Sequence, residues 1–191
     1  MAFDLKPIKA IIFDYGNTLI EFSQPQISHC DRELGRVLEA LYGPYDAARL
    51  REIRNADRLA PYADGYHEND LPAITTNLIR AMFQRDPTVD ELEQLLDVRY
   101  TAFVEAITPP DGVHELLERL RQRFKLALVS NYPCGRAIRG SLERTRLGPL
   151  LEVVVASGDV GRVKPHPLPF ETALGQLGLT PADAVYIGDN W

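Results

Sequence analysis

The sequence predicts an α/β fold, with a Rossmann-like open parallel sheet as its core and an all-helical cap inserted into it. Short, nearly continuous apolar segments recur along the chain, and such segments suit strands that helices cover on both faces. Helical patterns alternate with the later segments, which is typical of right-handed βαβ units. A long stretch after the first segment contains helical patterns but no convincing strand. This stretch is the predicted insertion.

Four segments are predicted as strands because they are short, apolar and rich in β-branched residues. They are residues 9–13 (KAIIF), 125–129 (KLALV), 152–156 (EVVVA) and 184–187 (AVYI). A helix is predicted before the second strand, because apolar residues recur at helical spacing from residue 113 to residue 120, after the sequence PPDG. A second amphipathic helix is predicted over 169–177 (PFETALGQL).

The insertion spans residues 22–108 and is predicted to contain four helices. One apolar face consists of Leu34, Val37, Leu38 and Leu41, and another of Leu92, Leu95, Leu96, Phe103 and Ile107. Gly-Pro, Pro and Asp-Pro sequences divide the segment. We therefore predict an α/β core formed by residues 1–21 and 109–191, with a helical cap formed by residues 22–108.

Composition excludes several classes of partner. The formal net charge of −6 argues against nucleic-acid binding. The N-terminus is too polar for a signal peptide, and no apolar run approaches the ~18 residues of a membrane span. Cys30 and Cys134 have no metal-ligand spacing, so free thiols in a reducing compartment are expected. We expect a cytoplasmic protein, and the sequence leaves its oligomeric state open.

Polar residues follow the predicted strands or lie between them. Asp14 follows the first strand, Ser130 and Asn131 follow the second, Lys164 lies in the loop sequence SGDVGRVKPHP, and Asp189 follows the last strand. Because the carboxyl ends of parallel strands meet at one edge of an open sheet, we expect these groups to converge there.

Such a set of groups has the chemistry of phosphoryl transfer. A carboxylate attacks phosphorus to form an acyl-phosphate, and a hydroxyl and a lysine hold the phosphoryl oxygens. A second carboxylate completes a site for Mg²⁺, which usually takes only one or two protein carboxylates. Each residue alone also has an ordinary explanation, as a helix cap, a turn residue or a surface charge. Their combination in this order favours function.

The same residues carry a resemblance to a known family. The sequence FDYGNTLI resembles the first motif of haloacid dehalogenase-like hydrolases, VSN the second, GRVKP the third and IGDN the start of the fourth. This superfamily is dominated by Mg²⁺-dependent phosphatases, and the resemblance implies that residues 22–108 are the helical cap found between the first two motifs. The resemblance implies a hydrolase that acts on a small phosphorylated substrate.

The resemblance also implies a role for each matching residue. The implied catalytic residues are Asp14 (the nucleophile), Ser130 and Lys164. The implied Mg²⁺ ligands are Asp14, the backbone carbonyl of Gly16, and Asp189. The implied substrate-binding residues are Thr18, Ser130, Asn131 and Lys164. Tyr15 and Asn17 are loop residues to which no role is assigned.

Two departures from the family pattern leave alternatives open. Related phosphatases usually have a second Asp, a general acid/base, at the position of Gly16, and they commonly continue beyond the position of Trp191. We therefore expect the natural protein to be longer. The alternatives are a phosphate-binding or interaction module with little activity, or a dehalogenase- or phosphonatase-type relative. The dehalogenase is disfavoured, because GDN suits a metal and dehalogenases usually have Tyr at the position of Gly16.

Substrate identity is not specified by the sequence. Four residues of the cap are candidate specificity residues, and two arginines near the motifs are candidates for binding an anionic tail. They are His29, Tyr66, His67, Glu68, Arg136 and Arg162. For each of them a position on the solvated surface is the stronger expectation.

Overall fold

The computed structural model describes residues 8–189 and contains a four-stranded parallel sheet. The strands are β1 (Ala10–Phe13), β2 (Lys125–Ser130), β3 (Val153–Ala156) and β4 (Ala184–Ile187), in the spatial order β3-β2-β1-β4. All four predicted strands are present. Two begin one residue later than predicted, and β2 continues to Ser130. The predicted α/β class with an open parallel sheet is confirmed.

Eight α-helices lie along the described chain. They are α1 (Gln24–Tyr42), α2 (Ala47–Ala63), α3 (Leu71–Phe83), α4 (Val89–Ala106), α5 (Val113–Leu120), α6 (Gly135–Arg144), α7 (Ser157–Val160) and α8 (Pro167–Leu177). Short 3₁₀ helices occupy Gly148–Leu150 and Pro181–Asp183. The helix predicted over 169–177 begins two residues earlier, because the His166 ring accepts a hydrogen bond from the N–H of Leu168 and caps it.

The sheet has an apolar layer on each face, as alternation along its strands requires. Ile11 and Phe13 of β1 point to one face, in a cluster with Leu117 of α5 and Ile138 of α6. The alternate residues of the strands, including Ile12 of β1, point to the other face and form a cluster with α8. Because helices cover both faces, the central strands are apolar throughout, and polar groups are confined to strand ends.

Four helices follow β1 in sequence, as predicted for residues 22–108, and they share an apolar cluster. Its buried members are Leu34, Leu38, Leu50, Leu78, Ile79 and Leu95. Local capping fixes the helix starts. Asp46 caps α2, Asp70 caps α3, and Thr88 and Glu91 form a reciprocal capping box at α4. The division into a core and a separate cap remains a prediction.

Strand β4 pairs only with β1 and forms one edge of the described sheet. Within residues 8–189, no helix combines the length and the apolarity needed to span a bilayer. Asn190 and Trp191, the last residues of the sequence, lie outside the described residues. The cytoplasmic location, the oligomeric state and the continuation of the natural chain remain predictions.

Candidate active site

Asp14 and Lys164 form the centre of the site, although 150 residues separate them in sequence. The backbone N–H of Asp14 donates to the carbonyl of Ile187 in β4 at 2.8 Å, which fixes the residue at the end of β1. Its Oδ1 accepts hydrogen bonds from Lys164 Nζ and from the N–H of Tyr15, each at 2.7 Å. The side chains of Asp14 and Lys164 are only 17% and 11% exposed, so this ion pair is poorly screened by water.

Lys164 is held by three acceptors, one for each ammonium hydrogen. Besides Asp14, Nζ contacts the carbonyl of Val129 at 2.7 Å and the hydroxyl of Tyr186 at 2.9 Å. Burial lowers the pKa of Lys164, and the negative charges of Asp14 and Asp189 oppose that shift. The ammonium is therefore fixed in place, with two carboxylates that favour its charged form.

Asn131 holds the backbone of the loop that carries this lysine. Its Oδ1 accepts from the N–H of Lys164 at 2.7 Å, and its Nδ2 donates to the carbonyl of the same residue at 3.1 Å. Nδ2 also contacts the hydroxyl of Tyr62 in α2 at 3.2 Å. The amide of Asn131 is thus fully engaged with protein groups. A substrate contact for Asn131 remains a prediction.

Ser130 and Thr18 carry the hydroxyl groups that are predicted to bind the phosphoryl group. Ser130 is the last residue of β2 and is 6% exposed. The Oγ1 of Thr18, in the loop after Asp14, is buried and has no hydrogen-bond partner among residues 8–189. An unpaired buried hydroxyl costs free energy unless a ligand supplies the missing partner. This orphaned atom favours a ligand in the loop.

The loop after β1 also presents a free carbonyl. A bridge between Gly16 and Ile20 uses the N–H of Asn17 and the carbonyl of Tyr15, and the carbonyl of Gly16 accepts no hydrogen bond from residues 8–189. Asp189, exposed after β4, is near enough for its charge to act on Lys164. No group of three or more His, Cys, Asp or Glu side chains suited to a metal occurs in the described part of the chain.

These donors nevertheless fit Mg²⁺. Mg²⁺ prefers oxygen ligands and typically takes one or two protein carboxylates, with the substrate and water completing the octahedron. Asp14, Asp189 and the carbonyl of Gly16 supply oxygen only. The predicted ligand set is therefore chemically consistent with the structure, and its use by the protein remains a proposal.

Two loop residues without an assigned role are structural. The hydroxyl of Tyr15 lies 2.7 Å from Ser141 Oγ, and burial raises the pKa of Tyr15 to about 12. Asn17 has φ of 56°, and its Oδ1 accepts from the N–H of Phe22 at 3.0 Å. Asn tolerates this left-handed backbone and stabilises the turn.

Several candidate specificity residues join the helical segment to the loop before Lys164. The carboxylate of Glu68 accepts a hydrogen bond from Ser157 Oγ at 2.6 Å, and His67 contacts Arg162. The carbonyl of Tyr66 accepts from the N–H of Val163 at 2.9 Å. Glu68 is only 9% exposed, so the expectation of a surface position was wrong for this residue.

The other two candidates pack elsewhere. Arg136 lies over the ring of Tyr100, with 4.3 Å between Cζ and the ring centroid. The ring of His29 contacts Arg32 on the same helix. Neither contact involves the residues around Asp14.

Two residues of the site were not predicted from the sequence, namely Tyr186 and Tyr62. Tyr186 lies inside a predicted strand, where a tyrosine is normally interpreted as a packing residue. Tyr62 lies on the helix that ends at Ala63, 69 residues from its partner Asn131. No local pattern marks either hydroxyl as part of the site.

An acid at the end of the first strand, a lysine paired with it and a helical segment after that strand are features of a class of hydrolases whose core is an open parallel sheet covered by helices. The sequence model described as Haloacid dehalogenase-like hydrolase matches residues 11–191. The chain therefore belongs to the haloacid dehalogenase-like hydrolase family.

Proteins of this family with phosphatase names are similar to the chain. The pyrophosphatase PpaX of Bacillus pumilus is 40% identical over 127 residues, which cover 65% of this chain and 58% of that protein. An N-acetylmuramic acid 6-phosphate phosphatase of Pseudomonas aeruginosa is 26% identical over 187 residues, covering 96% of this chain and 74% of the phosphatase. The chain thus matches less than two thirds of the length of the first of these relatives.

A solved structure shares the fold. The crystal structure of a 2-haloacid dehalogenase from Pseudomonas syringae pv. tomato superposes with a TM-score of 0.73 and 25% sequence identity. The superposition covers 96% of this chain and 78% of the dehalogenase. The neighbours of the chain therefore include enzymes named for two chemistries, and the arrangement of its own residues has to distinguish them.

Proposed function

We propose that this chain is a Mg²⁺-dependent phosphatase that acts on a small phosphorylated metabolite through an aspartyl-phosphate at Asp14. The observation that carries the proposal is the contact between Asp14 Oδ1 and Lys164 Nζ at 2.7 Å, at the carboxyl edge of the sheet. The phosphatase names of similar proteins support it.

The proposed reaction has two displacements at phosphorus. An oxygen of Asp14 forms a bond to phosphorus while the bond from phosphorus to the leaving oxygen breaks, and the leaving oxygen keeps the electron pair and takes a proton from water. Water then attacks phosphorus, which releases inorganic phosphate and regenerates the Asp14 carboxylate. Lys164 neutralises negative charge near the nucleophile, and the hydroxyls of Ser130 and Thr18 donate to the phosphoryl oxygens.

Mg²⁺ bound by Asp14, Asp189 and the carbonyl of Gly16 would neutralise phosphoryl charge and orient the substrate. The rest of the site acts through positioning. Asn131, Val129 and Tyr186 fix Lys164, so its ammonium group needs little reorganisation when charge develops on the phosphoryl group.

The absence of a side chain at Gly16 limits the proposed chemistry. A general acid/base at that position is typically worth about 10²–10⁴-fold in rate. Without it, substrates with good leaving groups, such as aryl or acyl phosphates, are expected to react fastest. Alkyl phosphates, whose leaving oxygens are basic, are expected to react slowly.

A panel of phosphomonoesters tests the proposal. We expect phosphate release that requires Mg²⁺ and is abolished in Asp14→Asn, with the exposed Asp111→Asn as a matched control of unchanged activity. Absence of turnover in the parent, or activity retained in Asp14→Asn, contradicts it. Mg²⁺ and phosphate binding by calorimetry without any turnover would support a phosphate-binding module instead.

A second candidate is dehalogenation of a 2-haloacid. It is favoured by the missing acid at Gly16 and by the similarity to the dehalogenase structure at 25% identity. In that reaction the Asp14 carboxylate would displace halide from carbon and form an ester. Water would then hydrolyse the ester and regenerate the carboxylate, and no metal is required. Halide release from 2-haloacids in the presence of a chelator would establish it, and phosphate release that depends on Mg²⁺ would exclude it as the main activity.

A further inference from the structure

Arg99, in the last helix of the inserted segment, is a half-buried cation. Its Nη1 donates to the hydroxyl of Thr75, at 2.9 Å, and Thr75 itself is fully buried. The Thr75 hydroxyl already donates to the carbonyl of Leu71, at 2.7 Å. Within residues 8–189, Arg99 forms no salt bridge. A guanidinium withdrawn from water is normally paired with a carboxylate or another anion.

The position of Arg99 connects it to the candidate active site. Arg99 lies one helical turn before Phe103, and the Phe103 ring packs on Tyr132 with 4.2 Å between the centroids. Tyr132 directly follows Asn131, whose amide holds the backbone of Lys164. This face of α4 therefore lies next to the segment that follows β2 at the candidate active site.

A second arginine reinforces the positive charge. Arg54 of α2 forms an ion pair with Asp31, and its charge and that of Arg99 both act on Tyr132. Burial and the charge of Arg54 lower the pKa of Arg99 to about 10, so the guanidinium is still charged at neutral pH. Asp57 affects both arginines through its charge, but it forms no salt bridge with either of them among the described residues.

We propose that Arg99, supported by the nearby positive charge of Arg54, binds a second anionic group of the substrate whose phosphoryl group is held at Asp14. The inference rests on the proposed phosphatase function and narrows its substrate class to small phosphomonoesters that also carry a carboxylate or a second phosphoryl group. The second anion would supply the charge partner that Arg99 lacks, and Thr75 would keep the guanidinium oriented.

The test compares phosphonates that are not hydrolysed. Phosphonoacetate carries a carboxylate, methylenediphosphonate carries a second phosphoryl group, and propylphosphonate carries an uncharged tail. Calorimetric titrations without divalent metal keep the comparison independent of the metal site. We expect the parent to bind at least one of the two probes that carry a second anionic group about 10- to 100-fold more tightly than propylphosphonate, as hydrogen bonds to charged groups predict. The probe that binds more tightly of the two shows whether the second anionic group is a carboxylate or a phosphoryl group.

Variants decide whether Arg99 is responsible. Arg99→Met is expected to abolish the preference, Arg99→Lys to retain part of it, and Arg119→Met, at an exposed arginine of α5, to leave it unchanged. Far-UV circular dichroism checks folding, and the partial rescue by Lys separates charge from packing. A preference that persists in Arg99→Met, or a parent without one, overturns the inference. If the parent still releases phosphate from monoesters, the proposed function survives. If it neither releases phosphate nor binds any phosphonate, both are wrong.

Discussion

Asn131 holds Lys164 from both sides of its peptide backbone, accepting from the lysine N–H at 2.7 Å and donating to its carbonyl at 3.1 Å. The clamp joins the end of β2 to the third motif, and the lysine that it positions contacts Asp14, directly after β1. The side-chain amide of Asn131 therefore helps to position residues from three distant parts of the sequence.

Replacing this amide tests the clamp. Asn131→Ala removes both contacts to Lys164, so we expect kcat to fall by about 10- to 100-fold, the range produced when a positioning contact is lost. Loss of the hydrogen bonds should also lower the free energy of unfolding by about 1–3 kcal/mol. Steady-state kinetics and urea unfolding measure the two effects. The exposed Asn69→Ala is the control, and an Asn131→Ala variant with parental kcat would contradict the clamp.

Tyr186→Phe tests the hydroxyl that contacts Lys164 Nζ at 2.9 Å. The variant leaves the ammonium with two of its three acceptors, so we expect kcat to fall by about 3- to 10-fold, from the ~1 kcal/mol of one hydrogen bond, with little change in KM. Kinetics with one aryl phosphate suffice. Tyr45→Phe, which removes a hydroxyl within the helical segment, should have parental activity. Equal kcat in Tyr186→Phe and the parent would mean that Asp14 and Val129 alone position the lysine.

Glu68 gives a prediction for the pH dependence of stability. Burial raises the pKa of Glu68 in the folded protein above its ordinary value, so the folded state binds more protons than the unfolded state between the two pKa values. The contribution of Glu68 to stability is therefore greatest at low pH, and it falls as pH rises through that window. Glu68→Gln keeps a hydrogen-bonding partner for Ser157 and carries no charge.

Thermal unfolding of Glu68→Gln should follow this sign. We expect its melting temperature to be at or above that of the parent at pH 7, and this advantage should disappear below about pH 4, where free carboxylates protonate. Glu171→Gln, on the exposed side of α8, should show no such pH-dependent difference. A Glu68→Gln variant that loses stability at pH 7 would mean that the charged carboxylate is stabilising.

Gly16→Asp tests the missing general acid/base. Gly16 is not among the residues with positive φ, and an added Cβ would meet only the Cβ of Phe22, at 3.6 Å, which is ordinary contact. We expect the variant to fold and to increase kcat/KM for alkyl relative to aryl phosphates by about 10-fold or more. Gly16→Asn has a similar shape but cannot transfer the proton, so it should leave that ratio unchanged. An unchanged ratio in Gly16→Asp would place the proton source elsewhere.

The sequence was sufficient to predict the strands and the residues at their ends, because buried parallel strands are apolar throughout and a polar residue after one is conspicuous. Asp14 and Ser130 were identified in this way, whereas Lys164 was identified from the loop sequence SGDVGRVKPHP. The contacts that depend on distant segments were not predicted. The burial of Glu68 depends on Ser157, 89 residues away, and the clamp by Asn131 depends on a loop 33 residues further on. Neither distance leaves a periodic signal in the sequence.

The proposed mechanism requires that Asp14 becomes covalently phosphorylated. The most direct measurement is rapid acid quenching of the parent with ³²P-labelled phosphomonoester and Mg²⁺, followed by peptide mapping. We predict an acid-stable, hydroxylamine-labile label, as expected for an acyl-phosphate, on the peptide that contains Asp14. The label should be absent from Asp14→Asn. Turnover without any trapped label, or a label on Ser130 instead, would contradict the account.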